Sequence, residues 1–76
     1  MDGDERVLKI LAVVSGVDRD VLRPELDLVA DLGIDSPKAL RLLADLEDEL
    51  DIEIDDEAAA RLVTVGDVLT QVRELG

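Results

Sequence analysis

The chain has 76 residues, room for one small domain, with 20 Asp and Glu against 8 Lys and Arg and a formal net charge of -12. It has no Cys, His, Phe, Trp or Tyr, which excludes disulfides, Cys- or His-ligated metals and a Ser-His-Asp triad. Without aromatic stacking platforms, and at this charge, nucleic acid is excluded as a partner. Hydrophobic residues make up 47%, nearly all aliphatic, enough for a small core and hence for one domain over residues 1–76. No apolar run can span or insert into a membrane. The first residues, Met1, Asp2, Gly3 and Asp4, are acidic where a secretory leader is basic, so the expected compartment is the cytoplasm.

Residues 4–15 read as a helix: Val7, Leu8, Leu11 and Val14 share a face, and Asp4 and Glu5 suit the first turn. Gly16 is the stop. Residues 16–35 hold no sustained period, and Pro24 interrupts any helix beyond a short turn at Asp18–Leu22. A loop of about 20 residues is unusual in so small a domain and is often functional. Leu22, Leu26, Leu28, Leu32 and Ile34 are expected to pin it to the core. Residues 36–50 give the strongest helical signal, with Ala39, Leu42, Leu43, Leu46 and Leu50 in one stripe. Pro37 fits only in the first turn, so this helix begins at Asp35 or Ser36. Residues 51–55 alternate like a strand but have no partner strand, so an extended linker burying Ile52 or Ile54 is expected. Asp55 or Asp56 then caps a short helix ending near Leu62. Thr64-Val65-Gly66-Asp67 is a capping-box pattern, followed by Val65, Val68, Leu69, Val72 and Leu75 at helical spacing. The expected fold is all-α: a small four-helix bundle of three longer helices and one short one, with a long loop between helices one and two.

The chemically informative segment is Asp31-Leu32-Gly33-Ile34-Asp35-Ser36-Pro37-Lys38-Ala39-Leu40. Gly33 permits a sharp turn, which puts Asp35 and Ser36 where the long loop meets the central helix. A serine there has an exposed hydroxyl, and free backbone N–H groups beside it favour anionic oxygens. The plain alternative is that Ser36 is the helix N-cap, and that Asp35 caps the helix or pairs with Lys38.

In this segment the chain resembles the acyl carrier proteins, whose hallmark is Asp-Ser-Leu preceded by Leu-Gly at the start of the second of four helices. Leu32-Gly33-Ile34-Asp35-Ser36 matches, with Pro37 in place of the usual Leu. The acidic end of the central helix and the Thr64-Val65-Gly66-Asp67-Val68 opening of the last helix resemble the family too, so the likeness covers nearly the whole chain. It implies that a separate phosphopantetheinyl transferase uses the Ser36 hydroxyl to attack the pyrophosphate of coenzyme A, leaving 4'-phosphopantetheine as a phosphodiester. The arm's thiol then carries acyl groups between acyl-loading and acyl-transfer enzymes, so the missing cysteine is no obstacle. Asp35 becomes part of what the transferase recognises. No catalytic residue and no enzymatic activity of the chain itself are implied.

The resemblance also implies that partners dock on the central helix, normally through its acidic face. Here Lys38 and Arg41 bring positive charge near the serine, while Asp45, Glu47, Asp48 and Glu49 follow. A surface bipolar along the helix axis selects its partners, which points to a carrier for a specialised lipid, lipopolysaccharide or polyketide pathway. Local pairing of Lys38 with Asp35 and Arg41 with Asp45 is the plainer account. Two other readings stand: a peptidyl or aminoacyl carrier, which high acidity and free-standing length disfavour, and an acidic interaction module with no covalent arm. The latter leaves Asp35-Ser36 behind a glycine turn unexplained. The run Asp51, Glu53, Asp55, Asp56, Glu57 lacks the glycine and final Glu of a calcium loop, so no metal is expected. At this charge the chain is expected to be a monomer.

Overall fold

A computed structural model describes residues 3–75; Met1, Asp2 and Gly76, the ends of the expected 1–76 domain, lie outside the described residues. Helix α1 spans Gly3–Ser15 and buries Val7, Ile10, Leu11 and Val14. Ile10 thus takes the place expected of Leu8, which is only half-buried, because the inward row follows three- and four-residue steps from Val7. Gly16 ends the helix with φ +76° and donates its N–H to the Ala12 carbonyl at 2.9 Å.

The long loop is ordered by its own chemistry. Asp18 caps a single 3₁₀ turn at Arg19–Val21. Leu22, Leu28, Leu32 and Ile34 are buried and Leu26 packs partly against the core, as their apolar character predicts. Backbone bonds lash the loop to the segment before the last helix. The Leu28 N–H donates to the Val63 carbonyl, that of Val65 to Leu26 and that of Gly66 to Pro24, each at 2.9 Å.

Helix α2 spans Ser36–Leu50 and buries Leu42 and Leu46, with Ala39 and Leu50 packed beside them. Asp51 ends it in the left-handed region (φ 52°), its N–H on the Glu47 carbonyl. The linker is extended, and both Ile52 and Ile54 pack partly on the core. Helix α3, Asp56–Ala60, is capped by Asp55, whose carboxylate accepts the Ala58 N–H at 2.8 Å. It stops short of the expected Leu62, because the Arg61 and Leu62 N–H groups fall back on carbonyls three residues earlier. Helix α4 spans Val65–Leu75 and buries Val65, Val68, Leu69 and Val72. Leu75, expected on that face, is 42% exposed because the last turn runs past the core. Helix α1 packs against α2 and α4, and Arg73 closes the bundle by pairing with Asp4. The fold is the expected all-α bundle, with no strand among the described residues.

The capping box at α4 is reciprocal. The Asp67 N–H donates to Thr64 Oγ1 at 3.1 Å, while the Asp67 carboxylate accepts the Thr64 and Val63 N–H groups, each at 3.0 Å. Those backbone donors, Thr64 first and then Val63, hold the Asp67 carboxyl below its ordinary value of 3.8. A lowered pKa means stability that is fully present above the unfolded value and lost as the pH falls through the folded one. Asp67→Asn keeps an acceptor but loses the charge. Its stability deficit, about 1 kcal/mol for charge-assisted bonds made neutral, is expected to be constant from pH 5 to 7. Below 3.8 the gap should close, which urea titrations at several pH values would show.

Candidate functional site

The long loop delivers Asp35 and Ser36 through a closed turn over residues 27–34. Gly33 takes φ +67°, a conformation costly for any residue with a Cβ. The Gly33 N–H donates to the Val29 carbonyl at 3.0 Å, and the Ile34 N–H to the Leu28 carbonyl at 2.9 Å. The next residue, Asp35, is extended and caps α2: its carboxylate accepts the Lys38 backbone N–H at 3.1 Å.

This settles the capping alternative. Ser36 is not the N-cap; it is the first residue of α2, exposed, and its hydroxyl has no hydrogen-bond partner among the described residues. The Asp35–Lys38 contact runs to the backbone, and the Lys38 ammonium has no ion pair among the described residues. One expectation needs correction. The first turn offers few free donors: Pro37 has no N–H, that of Lys38 is held by Asp35, and that of Ala39 bonds the Asp35 carbonyl at 2.7 Å. The N–H of Ser36 itself is the one left open to an anionic oxygen.

Helix geometry gives α2 two working flanks. Residues three, four and seven beyond Ser36 share its side, and these are Ala39, Leu40 and Leu43. Leu40 is 69% exposed. Ala39 and Leu43, with Leu28, Val29, Ile34 and Leu42, line a small cavity of about 80 Å³ that Ala59 and Leu62 close from beyond α2. Sequence reasoning missed this cavity; the small side chains Ala39 and Ala59 were its only signal.

Lys38 lies two residues on from Ser36 and so turns away from it. It belongs to the opposite flank with Arg41 and Asp45, which pair at 3.6 Å as expected. That flank continues into an open groove of about 280 Å³. Asp45, Asp48 and Glu49 form one bank, and Arg6, Lys9, Ile10 and Val13 of α1 form the other. The structure therefore gathers Lys38, Arg41, Asp45 and Asp48, of the residues expected to dock partners. Glu47 stands apart: its Oε2 accepts the Ile54 N–H at 2.9 Å and secures the linker after α2.

With this geometry in place, comparison with known proteins identifies the chain's relatives. Residues 5–72 match the family model of the phosphopantetheine attachment site. A protein of Mycobacterium tuberculosis assigned as an acyl carrier protein superposes with a TM-score of 0.87 at 38% identity, over 93% of this chain and 95% of that one. The acyl carrier protein of Enterococcus faecalis superposes with a TM-score of 0.80 at 28% identity over the whole of both chains. The chain belongs to the acyl carrier proteins, and is a carrier with a phosphopantetheine attachment domain rather than an enzyme.

Proposed function

We propose that Ser36 is the residue that receives the arm. The observation that carries this reading is the division of labour at the start of α2. Asp35 does the capping, so the exposed Ser36 hydroxyl is committed to nothing else among the described residues. A transferase, recognising Asp35 with the turn before it, directs that hydroxyl at the pantetheine-side phosphorus of coenzyme A. The Ser36 O–P bond forms, the pyrophosphate P–O bond breaks, adenosine 3',5'-bisphosphate leaves, and the hydroxyl proton passes to the transferase or solvent, leaving a phosphodiester. The bound arm supplies the thiol on which an acyl group rides as a thioester. The apolar cavity on the serine's side of α2 suits the first carbons of such an acyl chain. The test is intact mass after incubation with coenzyme A, magnesium and a broad-specificity transferase. A gain of one phosphopantetheine mapped to the peptide containing Ser36 is expected, and an unmodified chain would refute the reading.

For the cellular role, the same reading is of a cytosolic monomer, kept apart from its copies by a charge of -12. It serves a specialised lipid, lipopolysaccharide or polyketide pathway. Supporting this is the row Lys38, Arg41, Asp45 and Asp48 on α2, cationic at the serine end and acidic beyond it. A partner built for a uniformly acidic helix meets like charge at Lys38, and loses on-rate and affinity. Lys38→Glu with Arg41→Glu, assayed in the phosphopantetheinylated form, should be the better substrate of a general fatty-acid ketosynthase. The expected gain is about tenfold in kcat/KM at low salt and smaller once salt screens the helix. If wild type already performs as well, the two cations are ordinary surface charges.

A further inference from the structure

We infer that Asp27, nine residues before the first residue of the helix it serves, is a positioning residue for Ser36. The inference rests on Ser36 being the attachment residue. Asp27 is the hub of the turn over residues 27–34. Its Oδ1 accepts the N–H groups of Val29 and Ala30, each at 2.8 Å. Its own N–H donates to Asp31 Oδ2 at 2.8 Å, and its carbonyl accepts from Asp31 and Leu32 at 3.0 and 3.2 Å. It also bridges to Thr64 and precedes Leu28, whose N–H is held by Val63. One short side chain thus sets the curvature of the segment that ends at Gly33 and the Asp35 cap. The same carboxylate fixes Val29, which lines the cavity on the serine's side of α2. Serine and cavity are therefore held in mutual register by Asp27.

Removing the carboxylate leaves the exposed Val29 and Ala30 N–H groups to water, which satisfies them without fixing the shape of the turn. The turn then samples other shapes, and only a fraction of molecules presents Ser36 in the form the transferase binds. Apparent affinity falls in proportion to that fraction, while the chemical step in the bound complex is unchanged. The signature is a raised KM at constant kcat.

The experiment measures transferase kinetics with coenzyme A on wild type, Asp27→Ala, Asp27→Asn and Thr70→Gly, each first shown folded by circular dichroism. Thr70 is exposed on α4, away from the turn, so Thr70→Gly weakens the bundle through helix propensity alone. Asp27→Ala is expected to raise KM about tenfold, a competent fraction of about one tenth, with kcat unchanged. Asparagine retains an oxygen for both N–H groups, so Asp27→Asn should return KM to within about twofold of wild type. Thr70→Gly should leave KM unchanged. A wild-type KM for Asp27→Ala, an Asp27→Asn as poor as Asp27→Ala, or an equal rise in Thr70→Gly would each overturn the inference. If Asp27→Ala does not fold, Asp31→Ala, which removes only the acceptor of the Asp27 N–H, takes its place, and a wild-type KM there overturns it too. An unlabelled wild type refutes Ser36 as the attachment residue and this inference with it; a labelled wild type confines any failure to Asp27.

Discussion

Ser36→Ala remains unmodified under conditions that convert wild type completely, and it keeps its fold. The loss is total because no second serine stands ready. Ser15 is the other serine of the chain. Its hydroxyl donates to the Leu11 carbonyl at 2.6 Å and accepts the Val17 N–H at 3.2 Å, in a partly buried position at the end of α1. A transferase has no access to that oxygen without breaking both bonds. The fold survives because the α2 cap belongs to Asp35 and alanine is readily accommodated in a helix. The expected change in stability is within about 0.5 kcal/mol. Asp35→Ala is the complementary variant: it removes the cap and costs about 1 kcal/mol while leaving the hydroxyl in place. Intact mass together with thermal melts separates the two. Labelling of Ser36→Ala equal to wild type would remove Ser36 from the mechanism altogether.

Much of this was legible in the sequence, for identifiable reasons. The stripe Leu42, Leu46 and Leu50 and the row Val65, Val68, Leu69 and Val72 are periodic enough to define α2 and α4, and Pro37 fixes where α2 starts. The Thr64–Asp67 box is a local pattern with one geometric meaning, and the structure realises it. Pairing across the fold was not legible. Nothing in Pro24, Leu26 and Leu28 announces that their backbone groups meet Gly66, Val65 and Val63, because such bonds are made by peptide groups that every residue carries. The roles of Asp35 and Ser36 were ambiguous for a related reason. Both side chains cap helices well, and only the start of α2 at Ser36 assigns the cap to Asp35. Glu47 read as docking surface because it sits among acidic residues on an exposed-looking stretch; its bond to Ile54 depends on how the chain turns at Asp51. The cavity on the serine's side of α2 arises from three separate segments, so its small residues Ala39 and Ala59 signal it only once the chain has folded.

Leu46→Ala is expected to be the most damaging single change in α2. Leu46 is fully buried where α2 packs against its neighbours, and it is among the largest completely enclosed side chains of the core. Truncating it removes three carbons and leaves a void that a small aliphatic bundle fills poorly, a cost of about 2–5 kcal/mol. A domain of this length holds a total of about 4–11 kcal/mol, so from about a fifth of the stability to all of it goes. The melting midpoint should fall by about 8–40 °C, taking about 4–8 °C per kcal/mol for a domain of this size. Leu40→Ala, with the same side chain removed six residues earlier in the same helix, is the contrast. Leu40 is 69% exposed, so its loss should move stability by no more than about 0.5 kcal/mol. The pair separates what holds α2 from what α2 displays. Leu46 secures the helix that carries Ser36 from inside the bundle, and its variant should lose labelling only as it unfolds. Leu40 lies one turn beyond Ser36 on the same side, so a fall in transferase labelling of a fully folded Leu40→Ala would measure apolar contact with the enzyme. Equal melting midpoints for the two variants would mean that α2 is not anchored through Leu46.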